Sequence, residues 1–316
     1  MALISIGTLT DLEKVSYVKE GLEVAKPNLV YQQYGMGDRV EKRDGKTRQW
    51  FRFTKSAITS GSDFSGAATY VKNTTGAPPT FTPATPSDTL ITAQVDFLFG
   101  KGHEWNEGVQ YTSFADLPKE LRVINAQHAS EATDTEVRDV LKAGTNVAYA
   151  NAKASRGLLT GADQIDIDDL TNQLVTMRDN SAKPVKGFFP VFCSNSVIGQ
   201  LLKDSAFRTA VQLQREYMFT GTIVEFMGMR FHNTELAPTV TSSGSNNAVA
   251  NVEQTILVGQ NSYGVTKWML NDYDVVYTPP GGWGDEWAVR HSLTWKHAFK
   301  AVILNQSWLL RLESAR

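Results

Sequence analysis

Five histidines and a single cysteine are the side chains of this sequence best suited to metal binding or nucleophilic attack. The histidines stand at positions 103, 128, 232, 291 and 297. No two of them have the four-residue spacing of a helical zinc site, and Cys193 has no second cysteine to join it. Cys193 also ends an apolar run that starts at Phe188, which is typical of a buried structural thiol. We therefore predict no metal site, and we expect His291 and His297 to pack or hydrogen-bond within a tryptophan-rich region.

Four aspartates crowd one short segment and could in principle hold a divalent cation. They are Asp163, Asp166, Asp168 and Asp169. The segment lacks the alternating oxygen ligands, the glycine and the closing glutamate of a calcium-binding loop. Acidic side chains are favoured at a helix N-terminus on electrostatic grounds alone. We therefore predict that these aspartates cap a helix that begins near residue 167.

Two glycine-rich segments, 35–40 and 100–105, are candidates for binding phosphate or a dinucleotide. Both lack the third glycine of the dinucleotide fingerprint, and neither clearly lies between a strand and a helix of a βαβ unit. The sequence has no Gly-Lys-Ser/Thr phosphate loop and no Gly-x-Ser-x-Gly nucleophile elbow. We therefore predict no cofactor and no catalytic residue, and we predict that the chain is not an enzyme.

Composition is typical of an ordinary globular protein. The 316 residues are 41% hydrophobic and 20% charged, with a formal net charge of −2. A dedicated nucleic-acid-binding protein usually has a basic excess, so we expect only weak, sequence-independent contact with DNA. No apolar run reaches the roughly 18 residues of a membrane span, and residues 1–7 lack a basic leader. We therefore expect no membrane partner and synthesis in a reducing cytoplasm.

The first third of the chain is predicted to be extended. Residues 10–34 predict a short helix followed by an extended segment, because Pro27 biases its neighbour away from the helical region. Residues 46–105 predict a long hairpin, since apolar and polar side chains alternate from Ile91 to Phe99. Between the strands, 60–86 is rich in Gly, Ser, Thr and Pro. A loop of this length inside a compact domain is usually functional or disordered.

Helices and strands alternate in the rest of the chain. Residues 117–143 predict the longest helix, with Asp116 before it, Pro118 in its first turn and Gly144 after it. Its apolar stripe is narrow, so we expect it to lie across a sheet. Residues 166–261 alternate between helix and strand, and 273–316 predict aromatic strands. The fold class that these elements predict is α+β.

Four segments stand out together along the chain. They are AKPNLVY at 25–31, the Ala-rich helix, small-residue loop and acid-capped helix of 136–174, MFTG and GMRF within 218–231, and VG and YGV within 258–265. In this order they resemble the major capsid proteins of tailed bacteriophages, in the branch typified by coliphage N-four. The matches touch most of the chain from residue 20 to residue 265.

The resemblance implies a tailed-phage major capsid fold with five parts. These are an N-terminal arm (1–45), an extended loop hairpin (46–107), a peripheral domain with a long spine helix (108–165), an α/β axial domain (166–261) and C-terminal strands that return to the peripheral domain (262–316). The implied function is mechanical: hexamers and pentamers tile an icosahedral phage head around double-stranded DNA. Such a shell is assembled in the host bacterial cytoplasm and becomes the capsid of the virion.

The functional residues implied by this resemblance are contact surfaces between subunits. We expect them to include Lys26, Leu29 and Tyr31 in the arm, Trp50, Phe53, Tyr70 and Phe81 in the extended loop, and Arg122, Glu131 and Arg138 on the spine helix. The implied partners are other copies of the chain, a portal, a separate scaffolding protein and, in some phages, a decoration protein. Some phage capsids also form a Lys–Asn isopeptide crosslink, for which Lys72 and Asn73 are placed in the loop without an identifiable catalytic acid.

Two other functions compete with this interpretation. An encapsulin-type nanocompartment shares the fold and encloses enzyme cargo instead of DNA, but the long loop and the N-four-type segments favour the virus. A soluble α/β enzyme is the second rival, and no constellation of residues argues for it. Neighbouring genes for a portal and a terminase would discriminate the phage from the encapsulin.

Replacing residues 60–86 by a short Gly-Ser turn should leave the subunit folded but prevent normal assembly. The segment cannot bury enough apolar surface to order itself, and shortening a loop changes its closure cost only modestly. Circular dichroism and thermal melting would test folding, and electron microscopy would test assembly. Shells of normal stability would show that the extended-loop assignment is wrong, and an unfolded variant would place the segment in the subunit's own core.

Overall fold

The computed structural model describes residues 29–41, 45–54, 60–61, 70–71, 87–113, 116–205, 207, 225–241, 251–268, 274–282 and 284–316. In that part of the chain the strands are β1 (Met36–Val40), β2 (Thr47–Thr54), β3 (Ser60–Gly61), β4 (Tyr70–Val71), β5 (Ser87–Gln94), β6 (Asp96–Phe99), β7 (His103–Asn106), β8 (Val147–Tyr149), β9 (Phe189–Cys193), β10 (Glu225–Phe226), β11 (Met229–Asn233), β12 (Thr239–Thr241), β13 (Asn251–Val258), β14 (Tyr263–Trp268), β15 (Asp274–Thr278), β16 (Arg290–Ile303) and β17 (Leu309–Ala315). The α-helices are α1 (Glu107–Thr112), α2 (Leu117–Lys142), α3 (Ile167–Asp179) and α4 (Asn195–Lys203). This mixture confirms the α+β class.

Two compact units make up the chain. The smaller unit is Thr47–Gln94, and the larger contains the described residues on either side of it. In the smaller unit β2 and β5 form an antiparallel hairpin, with Thr47 opposite Gln94 and Thr54 opposite Ser87. The short strands β3 and β4 pair in parallel.

Six strands of the larger unit form a first sheet, which we call sheet A. Its order is β1-β14-β16-β15, and β6 and β7 pair with successive parts of the long strand β16. The hairpin unit therefore ends earlier than the predicted boundary at residue 107, because β6 and β7 hydrogen-bond to β16. The backbone N–H of Val95 donates to the carbonyl of Lys46 at 2.8 Å. Both residues belong to the larger unit, so this bond connects the chain just before the hairpin unit to the chain just after it.

The long helix α2 crosses sheet A, as its narrow apolar stripe predicts. Its bounds agree with the predicted 117–143. Thr133 Oγ1 lies 3.1 Å from Nδ1 of His297 on β16, and the amide of Asn125 donates to the carbonyl of Leu293 at 3.2 Å. The helix ends at Lys142, and two residues later an added Cβ on Gly144 would lie 2.9 Å from the side chain of Leu309, so only glycine fits there without movement.

Seven strands form a second sheet, sheet B, in the order β10-β11-β9-β13-β17-β8, with β12 paired to β13. Local sequence signals place its helices correctly. Asp166 caps α3 by accepting from the backbone N–H of Asp169 at 2.7 Å, and Ser194 caps α4 by accepting from Val197 at 3.3 Å. Cys193 ends β9 and is completely buried, which confirms the predicted structural thiol. Burial raises the pKa of this thiol to about 12.

The two sheets share one hydrophobic core. A single cluster of buried side chains includes Leu141 of α2, Phe192 of β9, Ile256 of β13 and Phe299 of β16. The predicted peripheral and axial regions therefore lie within one compact unit. The last strand, β17, lies between β13 and β8 in sheet B, and β8 belongs to the predicted peripheral range 108–165.

A buried carboxylate fastens the loop after β8 to sheet B. Glu313 of β17 is fully buried, and Arg156 donates to its two carboxylate oxygens in a bidentate pair with both contacts at 2.6 Å. Gln254 donates to the same carboxylate at 2.9 Å, and Nε of Arg311 lies 3.0 Å away. Burial alone would favour the neutral acid, but these bonds and the two positive charges hold the pKa of Glu313 below its usual value.

We expect Arg156→Ala to lower the free energy of unfolding by about 3 kcal/mol, because it removes the bidentate partner of a buried carboxylate. Because Gln254 and Arg311 still contact Glu313 in this variant, we expect the loss of free energy of unfolding to lie at the lower end of the range for broken buried ion pairs. Chemical denaturation at neutral pH would measure it. Lys142→Ala, which removes an exposed i,i+3 pair with Asp139, is the control and should cost less than about 1 kcal/mol. Equal losses of stability in the two variants would contradict the stabilising role of the Arg156–Glu313 pair.

Candidate intersubunit contact surfaces

The hairpin unit presents an apolar face to solvent. Phe51 and Phe53 are 65% and 72% exposed, and Leu90, which lies opposite Phe51, is 48% exposed. Directly opposite residues of an antiparallel pair share a face, so these three side chains form one patch, which we call the hairpin patch. Trp50, the other predicted contact in β2, lies opposite Ile91 on the reverse face. The period of two in β2 could have placed Phe51 on the same face as the predicted contact Phe53.

The remaining predicted loop contacts fall at the edge of what the structure describes. Tyr70 lies in β4, where its backbone pairs with Ser60. Phe81, Lys72 and Asn73 lie outside the described residues. Their roles stay predictions.

The three predicted contact residues on helix α2, the predicted spine helix, differ in exposure and in bonding. Arg122 is exposed and Glu131 is half-buried. Arg138 instead makes bonds within its own chain: it donates to the carbonyl of Leu236 at 3.1 Å and, through two nitrogens, to Asp139 at 2.8 and 3.0 Å. Its guanidinium therefore has partners within its own chain, and the predicted contact with another subunit stays a prediction.

The N-terminal segment is anchored in the body of the subunit from residue 30 onward. Lys26 lies outside the described residues, and Leu29 is half-buried. Tyr31, predicted as an intersubunit contact, is completely buried and packs on Phe192 with ring centroids 4.8 Å apart. Tyr263 donates a short hydrogen bond to its backbone carbonyl. Within the predicted arm of residues 1–45, Val30 and Tyr31 thus pack into the core of their own chain.

Asp134 of α2 holds this anchor. Its two carboxylate oxygens accept the backbone N–H groups of Val30, at 3.2 Å, and Gln32, at 3.1 Å. Burial raises the pKa of Asp134 to about 6, against the opposing effect of these backbone bonds and of Arg138. The carboxylate therefore satisfies two amides of a segment more than a hundred residues away in sequence.

The residues that could have done chemistry have structural roles. Nδ1 of His291 lies 2.7 Å from the hydroxyl of Tyr277, and the imidazole stacks on Trp105, which confirms the expected packing. His297 faces Thr133, as described above. His103 and His232 also have hydrogen-bond partners, namely Asn125 and Tyr34.

The aspartate cluster is also committed to backbone groups. Asp163 accepts from Thr160 and Asn151, and Asp169 accepts from the backbone N–H of Asn151. Burial, together with the charge of Asp166, raises the pKa of Asp169 to about 6. Within the described ranges, no group of His, Cys, Asp or Glu side chains is arranged to hold a metal ion.

A second apolar patch lies on sheet A. Phe97 and Phe99 of β6 are 49% and 75% exposed, and their rings stack 5.9 Å apart. They lie opposite Ala298 and Lys296, on the face away from His297 and helix α2. The alternation from Ile91 to Phe99 aligns these phenylalanines with Ala93 and Val95, but Ala93 and Val95 are buried whereas Phe97 and Phe99 are exposed.

Sequence comparisons and structural comparisons give different results. No family model and no curated protein matches the sequence. The fold, however, matches the capsid asymmetric unit of cyanophage Pam1 with a TM-score of 0.72 at 10% identity, covering 98% of this chain and 99% of that chain. The chain has the phage capsid fold.

Two further solved structures support this assignment of the fold. The head structure of Helicobacter pylori bacteriophage KHP40 matches with a TM-score of 0.70 at 11% identity, covering 98% of each chain. The capsid of cyanophage P-SCSP1u matches with a TM-score of 0.68 at 13% identity, covering 97% of this chain and 94% of that chain. None of the three is the N-four capsid, so the finer placement beside N-four stays a prediction. No helix in the described ranges of the chain is long and apolar enough to cross a membrane.

We expect Asp134→Ala to destabilise the subunit by about 2–4 kcal/mol, because two buried N–H groups lose their acceptor. The loss should be larger at pH 5 than at pH 7.5. With a folded pKa of about 6 against an ordinary 3.8, the folded state binds more protons than the unfolded state between these values. The contribution of Asp134 is therefore complete below about pH 4 and falls as the pH rises through 6.

Denaturation of both proteins at the two pH values would measure the difference. Asp134→Asn keeps one acceptor oxygen without a titrating proton, and its stability relative to Asp134→Ala should not change with pH. If the wild type became more stable relative to Asp134→Ala as the pH rose toward 7.5, this would contradict the raised pKa of Asp134.

Proposed function

We propose that this chain is the major capsid protein of a tailed bacteriophage. The observation that carries the proposal is the match of the whole chain, including the hairpin unit, to capsid subunits of nearly the same extent. In this function, copies of the chain form hexamers and pentamers of an icosahedral head around double-stranded DNA. The protein would then reside in the capsid of the virion after assembly in the bacterial cytoplasm.

The exposed apolar patches support a protein that completes its surface by assembly. Large side chains such as Phe51 and Phe53 are costly to leave in water, at about 25 cal/mol for each Å² of apolar surface. Contiguous exposed apolar patches usually mark interaction sites. We propose that the hairpin patch is covered by another copy in the shell.

The Phe97–Phe99 patch is a suitable receptor for the hairpin patch of a neighbour. Phe97 and Phe99 are 49% and 75% exposed, and their rings can pack against Phe51 and Phe53 of that neighbour. Lys296 on the same face lies opposite Phe99 and can pair with Asp88, which lies opposite Phe53 in the hairpin. The extended loop would then lie over an adjacent subunit.

The remaining partners follow from this function. We propose a portal and a separate scaffolding protein, with a decoration protein as an optional addition. Contact with packaged DNA is proposed to be weak and independent of sequence, since the net charge of −2 provides few groups to neutralise phosphate. An encapsulin shell is disfavoured because the structures that the fold matches are phage capsids. The enzyme alternative gains no support, since these neighbours are structural proteins of capsids.

We expect the purified protein, with or without its scaffolding protein, to form ring-shaped capsomers or closed shells. Size-exclusion chromatography with light scattering and negative-stain electron microscopy would measure this. The double substitution Phe51→Ser and Phe53→Ser should abolish shells or make them fragile while the subunit remains folded, because both side chains are mostly exposed. A wild-type protein that stays monomeric even with scaffolding protein would contradict the proposed function.

Val175→Ser is the matched control for that experiment. Val175 lies on α3, is 51% exposed, and loses a comparable kind of apolar surface in a helix that tolerates serine about as well as valine. It should assemble like the wild type. Equal damage from both variants would show that assembly responds to surface polarity in general and not to the hairpin patch.

A further inference from the structure

We draw no further inference here: the strongest candidate, the surface patch on the loop between β15 and β16 where Trp287 is 86% exposed, carries none, because nothing in the structure shows what covers it.

Discussion

One hydrophobic cluster joins the two sheets of the larger unit. Side chains from α2, from the N-terminal segment and from both sheets meet around Phe192 and Tyr263, so neither sheet can be moved without disturbing the other. Because protein interiors are close-packed, such a core transmits displacement instead of absorbing it. The predicted peripheral and axial regions are thus two faces of one body.

Polar groups within this body are used to fix chain segments that the core alone would leave free. Asp134 binds the amides of residues 30 and 32, and Glu313 binds Arg156 from the loop after β8. Both carboxylates are buried, yet their environments act in opposite directions on the pKa, because only Glu313 has a direct cationic partner. Each carboxylate is a point at which removing one partner leaves a buried group unsatisfied.

The features that the sequence predicted are those with local signals. Helix α2, the caps at Asp166 and Ser194, and the buried strand that ends at Cys193 depend on spacing within a few residues. Long-range contacts were harder to foresee. Tyr31 is buried partly because residues 30 and 32 bind Asp134, whose separation from Val30 is 104 residues.

The exposure of side chains at the candidate contacts also depends on long-range packing. The alternation of side chains indicated the strands of the hairpin, but it could not show which phenylalanines face water. That depends on which strands of sheet A cover each face.

The position of β17 has a consequence for how fast the subunit can fold. This strand lies between β13 and β8 in sheet B, and it pairs Arg311 with Val147 across more than half of the chain. Contacts between residues so distant in sequence require the closure of large loops before they contribute any stability, and they slow folding. Until β17 is in place, β13 and β8 present unpaired edges that can join to other chains. A long delay before β17 pairs therefore favours aggregation, and the yield of folded protein depends on how quickly this strand is inserted.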